Sequence, residues 1–157
     1  MKSRYSQKRG LATVELALVA PLLIFVLFAF VELSWLLTDI FILNAAARAG
    51  VREAAVGAPT SDITSRIQSV GSALDEDALS IVLEYRVKSG DTWGDWQTLG
   101  DTTEGSQVVN NAPSGSEVRV RLIYEHPILL PGLFSGIGDQ DNPQVRTITV
   151  SAVMRRE

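Results

Sequence analysis

The feature that most constrains this chain is a long apolar segment close to its N-terminus. Every residue from Leu16 to Val31 is apolar, and after Glu32 the apolar character continues to Leu37. As an α-helix, residues 16–37 extend over roughly 33 Å at about 1.5 Å per residue, which matches a hydrocarbon core of about 30 Å. The segment therefore predicts a membrane-spanning helix, and the lipid bilayer is the first expected partner.

Charge is distributed unevenly around this segment. The first ten residues hold four of the 14 basic residues and none of the 18 acidic residues. Because basic residues mark the cytoplasmic side, we expect a single-pass topology with a cytoplasmic N-terminus and an exported C-terminal part. The acidic remainder of the chain argues against nucleic-acid binding, which requires a basic surface.

Residue usage also narrows the chemistry. The chain has no cysteine and one histidine, which excludes a cysteine nucleophile, thiolate zinc sites and multi-histidine metal sites. We find no catalytic constellation and expect no enzymatic activity, no cofactor and no metal. The acidic run at residues 139–142 departs from the calcium-loop pattern because Pro143 occupies a ligand position.

Three interpretations of the apolar segment compete. A secretory signal peptide would end at the alanine triplet 45–47, but a signal-peptide core is only about 7–15 residues long. An uncleaved signal anchor is the second interpretation. The third depends on Glu15, a carboxylate at the edge of the apolar run that costs several kcal/mol of desolvation unless it is paired or protonated.

The residues before Glu15 suggest why it is there. Lys8, Arg9, Gly10 and Leu11 precede it in a pattern that resembles the cleavage motif of type IV prepilins. In that family a membrane peptidase cuts after the glycine, here between Gly10 and Leu11. The new amino group of Leu11 would lie four residues from Glu15 on one helix face, so Glu15 can pair with it or with that of a neighbouring subunit. The alternative is that Glu15 only marks the membrane boundary.

The helix is expected to run from about Leu11 to Val56. Pro21 should kink it, because proline removes a backbone hydrogen bond. Beyond the span the sequence is rich in alanine, the best helix former, and small residues there allow close approach of another helix. Arg48 and Arg52 form an i,i+4 pair that is either solvated or in contact with a partner's acidic groups.

These features together resemble the TadE-like family over residues 8–57. The matching residues are Gly10, Glu15, Pro21, Glu32, Arg48, Gly50, Arg52, Ala54 and Ala55. The resemblance implies a pseudopilin, or minor pilin-like subunit, of the tight adherence (Tad) machinery that builds Flp-type IVb pili, with links to secretion and cell adhesion. Its implied partners are the prepilin peptidase, other pilin-like subunits and the Tad assembly machinery, and its implied locations are the inner membrane and the extracellular pilus. The implied assembly residues are Glu15, Pro21, Glu32, Arg48 and Arg52.

Beyond the helix stop at Gly57, the pattern predicts a small exported head. Thr60–Asp62 is expected to cap a short helix, and alternating apolar residues predict strands over 79–88, 117–125 and 145–154, with a returning strand over 93–99. The fold class is therefore α+β: a long N-terminal transmembrane and stem helix followed by a pilin-like head with an antiparallel sheet. We expect a leader at 1–10, the helix at 11–57 and the head at 58–157.

Two features of the head leave alternatives open. Residues 126–134 form an apolar loop with two prolines that either packs over the sheet or contacts another subunit. Trp93 and Trp96 are candidate ligand contacts, although cross-strand packing is the commoner role of such pairs. They support an alternative function, in which an uncleaved anchor presents a β-rich binding module.

Overall fold

A computed structural model describes residues 4–134 and 136–157, with side chains from residue 13 onward. The chain divides into two compact units, residues 1–37 and residues 38–157. Its elements in chain order are α1 (Arg4–Ala55), α2 (Thr60–Val70), β1 (Leu79–Arg86), β2 (Lys88–Ser89), β3 (Thr92–Trp93), β4 (Gln97–Thr98), β5 (Asp101–Glu104), β6 (Gln107–Asn110), β7 (Glu117–Pro127), α3 (Pro131–Phe134) and β8 (Val145–Arg155).

The predicted long helix is confirmed as α1, which ends within one residue of the expected stop. It begins earlier than we expected, at Arg4, because nothing in the basic leader breaks a helix and Gly10 alone does not interrupt it. Gly57 follows the helix with a positive φ of 87°, the left-handed conformation in which helices commonly end.

The second unit is built around a four-stranded antiparallel sheet with the strand order β4-β1-β7-β8. Strand β7 lies in the centre and alternates strictly between buried and partly exposed residues over most of its length, as its sequence predicts. Two small two-stranded sheets, β2-β3 and β5-β6, complete the head. The α+β class is therefore confirmed.

The buried core of this unit joins the sheet to the last turns of α1 and to α2. Helix α1 contributes four alanines and two larger apolar residues to this core. The core continues through Ile63 and Ile67 of α2 to the inner face of β7. The α1 members are Leu43, Ala46, Ala47, Val51, Ala54 and Ala55. Residues 43–55 are thus core residues of the head as well as part of the stem helix.

Two local expectations were wrong. Thr60 does not cap α2 with its side chain; Pro59 holds the cap position, and the N–H and hydroxyl of Thr60 donate instead to the carboxylate of Asp101 at 2.7 and 2.8 Å. The single returning strand expected over 93–99 is two short strands, β3 and β4, which pair with different partners.

Candidate functional site

The first unit presents an apolar surface along α1. Its large apolar side chains are exposed at most positions between Val14 and Leu37. Over Thr13–Ala55 the helix is long and apolar enough to cross a membrane by length and composition. Such a surface is far larger than water-soluble proteins expose, so it requires lipid or other apolar helices around it.

The predicted site residues of this unit differ in exposure. Glu15 and Pro21 are exposed on the helix, whereas Glu32 is only 4 % exposed. The helix continues through Pro21, although proline leaves the carbonyl of Ala17 without its helical donor. The kink, the pairing of Glu15 and the assembly roles of these residues stay predictions.

The predicted cleavage site, Gly10 and Leu11, lies within the backbone of α1. The side chains of residues 1–12 are outside the described part of the structure, so cleavage there also stays a prediction. A helical peptide bond must be unwound locally before a peptidase can act on it, because its N–H and C=O are engaged in the helix.

In the second unit, Arg48 and Arg52 are exposed and lie beside the edge strand β8. They line a groove of about 330 Å³ whose other wall is formed by residues 150–154. The strand β8 carries Arg146 and Arg155 and no acidic residue. Arg146 is paired with Asp139 at 3.6 Å. Both alternatives for Arg48 and Arg52, a solvated face or a contact with a partner's acidic groups, stay predictions.

A buried hydrogen bond joins α1 to β7. The Nδ1–H of His126 donates to Oδ2 of Asp39 at 2.6 Å, and the two side chains are 1 % and 6 % exposed. Sequence reasoning missed this pair. Its members are 87 residues apart, and the only available signal was a lone acidic residue placed just after the apolar segment.

Trp93 and Trp96 lie in a cluster of arginines on the outer face of the sheet. The guanidinium carbon of Arg119 is 3.9 Å from the ring centroid of Trp96, and that of Arg86 is 4.5 Å from it. Trp93 is contacted less closely, with Arg86 at 5.1 Å. These are cation–π distances, so each arginine stabilises the indole it covers.

The same arginines form ion pairs across β1 and β7. Arg86 contacts Glu117 at 2.6 Å, and Glu84 contacts Arg119 at 2.7 Å and Arg121 at 2.9 Å. All are partly buried, and Glu84 and Arg119 are directly opposite in the strand register. A ligand that stacked on Trp96 would have to displace a guanidinium held in this network, so the candidate ligand contacts stay a prediction.

The loop before β8 holds the acidic run that resembled a calcium site. Asp139 accepts hydrogen bonds from the hydroxyl and N–H of Thr147, and these bonds hold the pKa of that carboxyl below its usual value. Within residues 4–134 and 136–157, no group of three or more His, Cys, Asp or Glu residues could hold a metal ion.

Comparison with known protein families identifies the N-terminal region. Residues 10–52 match the model of the family described as TadE-like protein, which confirms the resemblance of this N-terminal region. The match begins at the glycine of the predicted cleavage motif and ends three residues before α1 ends. A search among curated proteins found no match, and a search among solved structures found none either.

Proposed function

We propose that this protein is a structural subunit of a Tad-type pilus machine: a minor pilin-like protein, or pseudopilin, of the type IVb class. The observation that carries the proposal is the coincidence of two features in one segment. Residues 10–52 match the TadE-like family, and the same residues lie in one helix with an exposed apolar surface and a folded head after it.

In this function the chain is inserted in the inner membrane, with its basic N-terminus in the cytoplasm and its head exported. A prepilin peptidase removes residues 1–10, and the new amino group of Leu11 pairs with Glu15 of the same or a neighbouring subunit. This pairing favours assembly because an unpaired carboxylate at the edge of the bilayer is costly.

The remaining exposed face of α1 supplies further contacts with other pilin-like subunits. Phe41, Ala45, Arg48 and Arg52 are all exposed and recur at the spacing of one helical face. The opposite face is occupied by the head's own core. This leaves one stripe of the stem available for assembly.

N-terminal sequencing of the full chain from its native membrane tests the proposal. We expect a sequence that begins at Leu11, and an intact leader in a strain without prepilin peptidase as the control. An intact leader in the wild-type strain would contradict the proposal and support an uncleaved anchor. A sequence beginning near Arg48 would instead identify the apolar segment as a cleaved secretory signal.

A further inference from the structure

The connection between β7 and β8 carries an exposed apolar patch, formed by Leu129, Leu133 and Ile137. These side chains are 47 %, 55 % and 44 % exposed. Residues 128–138 contain no charged side chain. Asp139 and Asp141 follow later in the connection. Exposed apolar residues scattered singly need no explanation, but three within an uncharged stretch of eleven residues mark a contact surface.

Buried side chains, a backbone hydrogen bond and a tight turn give this connection a defined conformation. Ile128 and Phe134 are only 6 % and 5 % exposed, so the connection has buried side chains of its own. The N–H of Ile128 donates to the carbonyl of Gln144 at 2.9 Å. A Cβ added to Gly138 would lie 2.5 Å from the carbonyl oxygen of Pro143, so this turn is closely packed. The patch therefore lies on a folded support.

Contacts at two places fix the direction of the sheet along α1. At one end of β7, His126 binds Asp39; at the other end of the sheet, the N–H of Glu157 donates to the carbonyl of Ala55 at 3.1 Å. Positions 39 and 55 are about 24 Å apart along a helix. Residues 117–126 of β7 span a similar distance, about 30 Å. The sheet therefore runs along α1, with His126 at the end nearer the N-terminus of the helix.

The patch lies beyond the His126 end of the sheet. Pro127 pairs with Val145 at that end, and the connection that carries the patch joins these two residues. Asp39 itself follows Leu37, the last residue of the apolar segment, by only two positions. The connection thus leaves the sheet at the end where the chain emerges from the segment that we propose spans the membrane.

We propose that Leu129, Leu133 and Ile137 insert into the lipid leaflet on the head's side of the membrane. This rests on the proposed membrane anchoring of α1. A lipid surface fits the patch because its apolar side chains bring no charge that must be paired, and because Asp39, which binds His126, lies only two residues after the proposed span. The head would then contact the membrane directly through these side chains, in addition to being linked to it through α1.

The absence of cysteine from the chain allows a clean test with single labels. Leu133→Cys places a label in the patch, and Val108→Cys is a matched control because Val108 is 54 % exposed against 55 % for Leu133. Val108 lies in β6, whose Asn110 binds the carbonyl of Ala54 at the other end of the stem. Leu23→Cys, within the span, reports whether the anchor is inserted.

The full-length variants are labelled with a polarity-sensitive fluorophore and reconstituted in phosphatidylcholine vesicles. Quenching by lipids brominated in the acyl chain is compared with quenching by iodide in the water. We expect the label at position 133 to be quenched several-fold more by the brominated lipid than the label at position 108, and iodide to show the opposite order. Ile137→Cys should behave like Leu133→Cys.

Three results would overturn the proposal. If positions 133 and 108 are equally accessible to iodide while position 23 is quenched by lipid, the patch is in water and the anchor still stands. If position 23 is also accessible to iodide, both the patch proposal and the proposed anchoring fail. If position 133 is shielded only when several copies share a vesicle, without quenching by lipid, the patch is a contact between copies of the chain.

Discussion

The carboxylate of Asp39 and the ring of His126 form the buried contact that fixes the base of the head to the stem helix. The atoms Oδ2 and Nδ1 are 2.6 Å apart, and both residues are almost completely buried. A buried polar group that loses its hydrogen-bond partner destabilises the fold, because its lost hydration is no longer replaced by a hydrogen bond. The pair therefore specifies where along α1 the end of β7 must lie.

Replacing Asp39 tests this relationship. Asp39→Ala should lower the free energy of unfolding by about 1–3 kcal/mol, because the buried Nδ1–H of His126 loses its acceptor. Asp39→Asn should cost less, since its amide oxygen can still accept. Urea titration of the full chain in detergent, followed by tryptophan fluorescence, measures both. The control is Glu125→Ala, an exposed neighbour of His126, which should change little; equal losses for Asp39→Ala and Glu125→Ala would contradict the role.

Gly50 allows α1 and α2 to approach closely. A Cβ at this position would lie 2.5 Å from Cγ1 and 2.7 Å from Cδ1 of Ile67, which is fully buried. We expect Gly50→Ala to destabilise the head by about 1–3 kcal/mol through overpacking, although alanine favours a helix by about 1 kcal/mol. Thermal or urea unfolding measures the effect.

A second substitution checks the cause of that loss. Combining Gly50→Ala with Ile67→Ala should cost less than the sum of the two single changes, because the smaller side chain makes room for the new methyl group. Strict additivity would show that Gly50 matters for a reason other than its contact with Ile67.

Trp96 is expected to be a structural residue of the outer sheet face. Because Arg119 and Arg86 both cover its ring, Trp96→Ala should lower the free energy of unfolding by about 1–2 kcal/mol. Trp93→Ala, with its more distant arginine, should cost less. The binding-module alternative makes the opposite prediction: both variants fold normally and lose a ligand. Unfolding curves of the two variants therefore distinguish the interpretations.

The proposed assembly role of Glu15 can be separated from processing. Glu15→Lys should leave leader removal and membrane insertion intact but prevent assembly, because a second positive charge would face the amino group of Leu11. Processing is read from the N-terminal sequence, insertion from membrane fractionation, and assembly from sheared filaments. Arg66→Glu reverses a charge on the exposed face of α2 and is the control. Normal assembly of Glu15→Lys would show that the pairing is not needed.

The elements that could be predicted from the sequence are those whose burial repeats with a regular period. Strands β1, β7 and β8 were expected within two residues of their observed ends, because alternate residues face a core and the pattern records this directly. The long helix could also be predicted, because its apolar run and its alanine-rich continuation both favour a helix over any other secondary structure.

The elements that could not be predicted depend on distant partners. The hairpin of β5 and β6 is almost entirely exposed, so no burial pattern reveals it; backbone pairing and the turn at Gly105 form it. Asp101 accepts a hydrogen bond from the N–H of Thr60, the first residue of α2, across 41 residues. Of the candidate site, the exposed apolar segment was evident from composition, whereas the Asp39–His126 pair and the stacking on Trp96 have no local signature.

The division of α1 between two faces affects how mutations in the stem would be read in a genetic screen. Ala46, Ala47, Gly50, Ala54 and Ala55 are buried in the head, and Phe41, Ala45, Arg48 and Arg52 are exposed on the other face. Changes in the first series would reduce the amount of protein, since misfolded heads are degraded. If the proposed function is correct, changes in the second would leave protein levels normal and affect only the filament. The two phenotypes would therefore interleave along the helix every three or four residues, and protein abundance alone would distinguish a folding defect from an assembly defect.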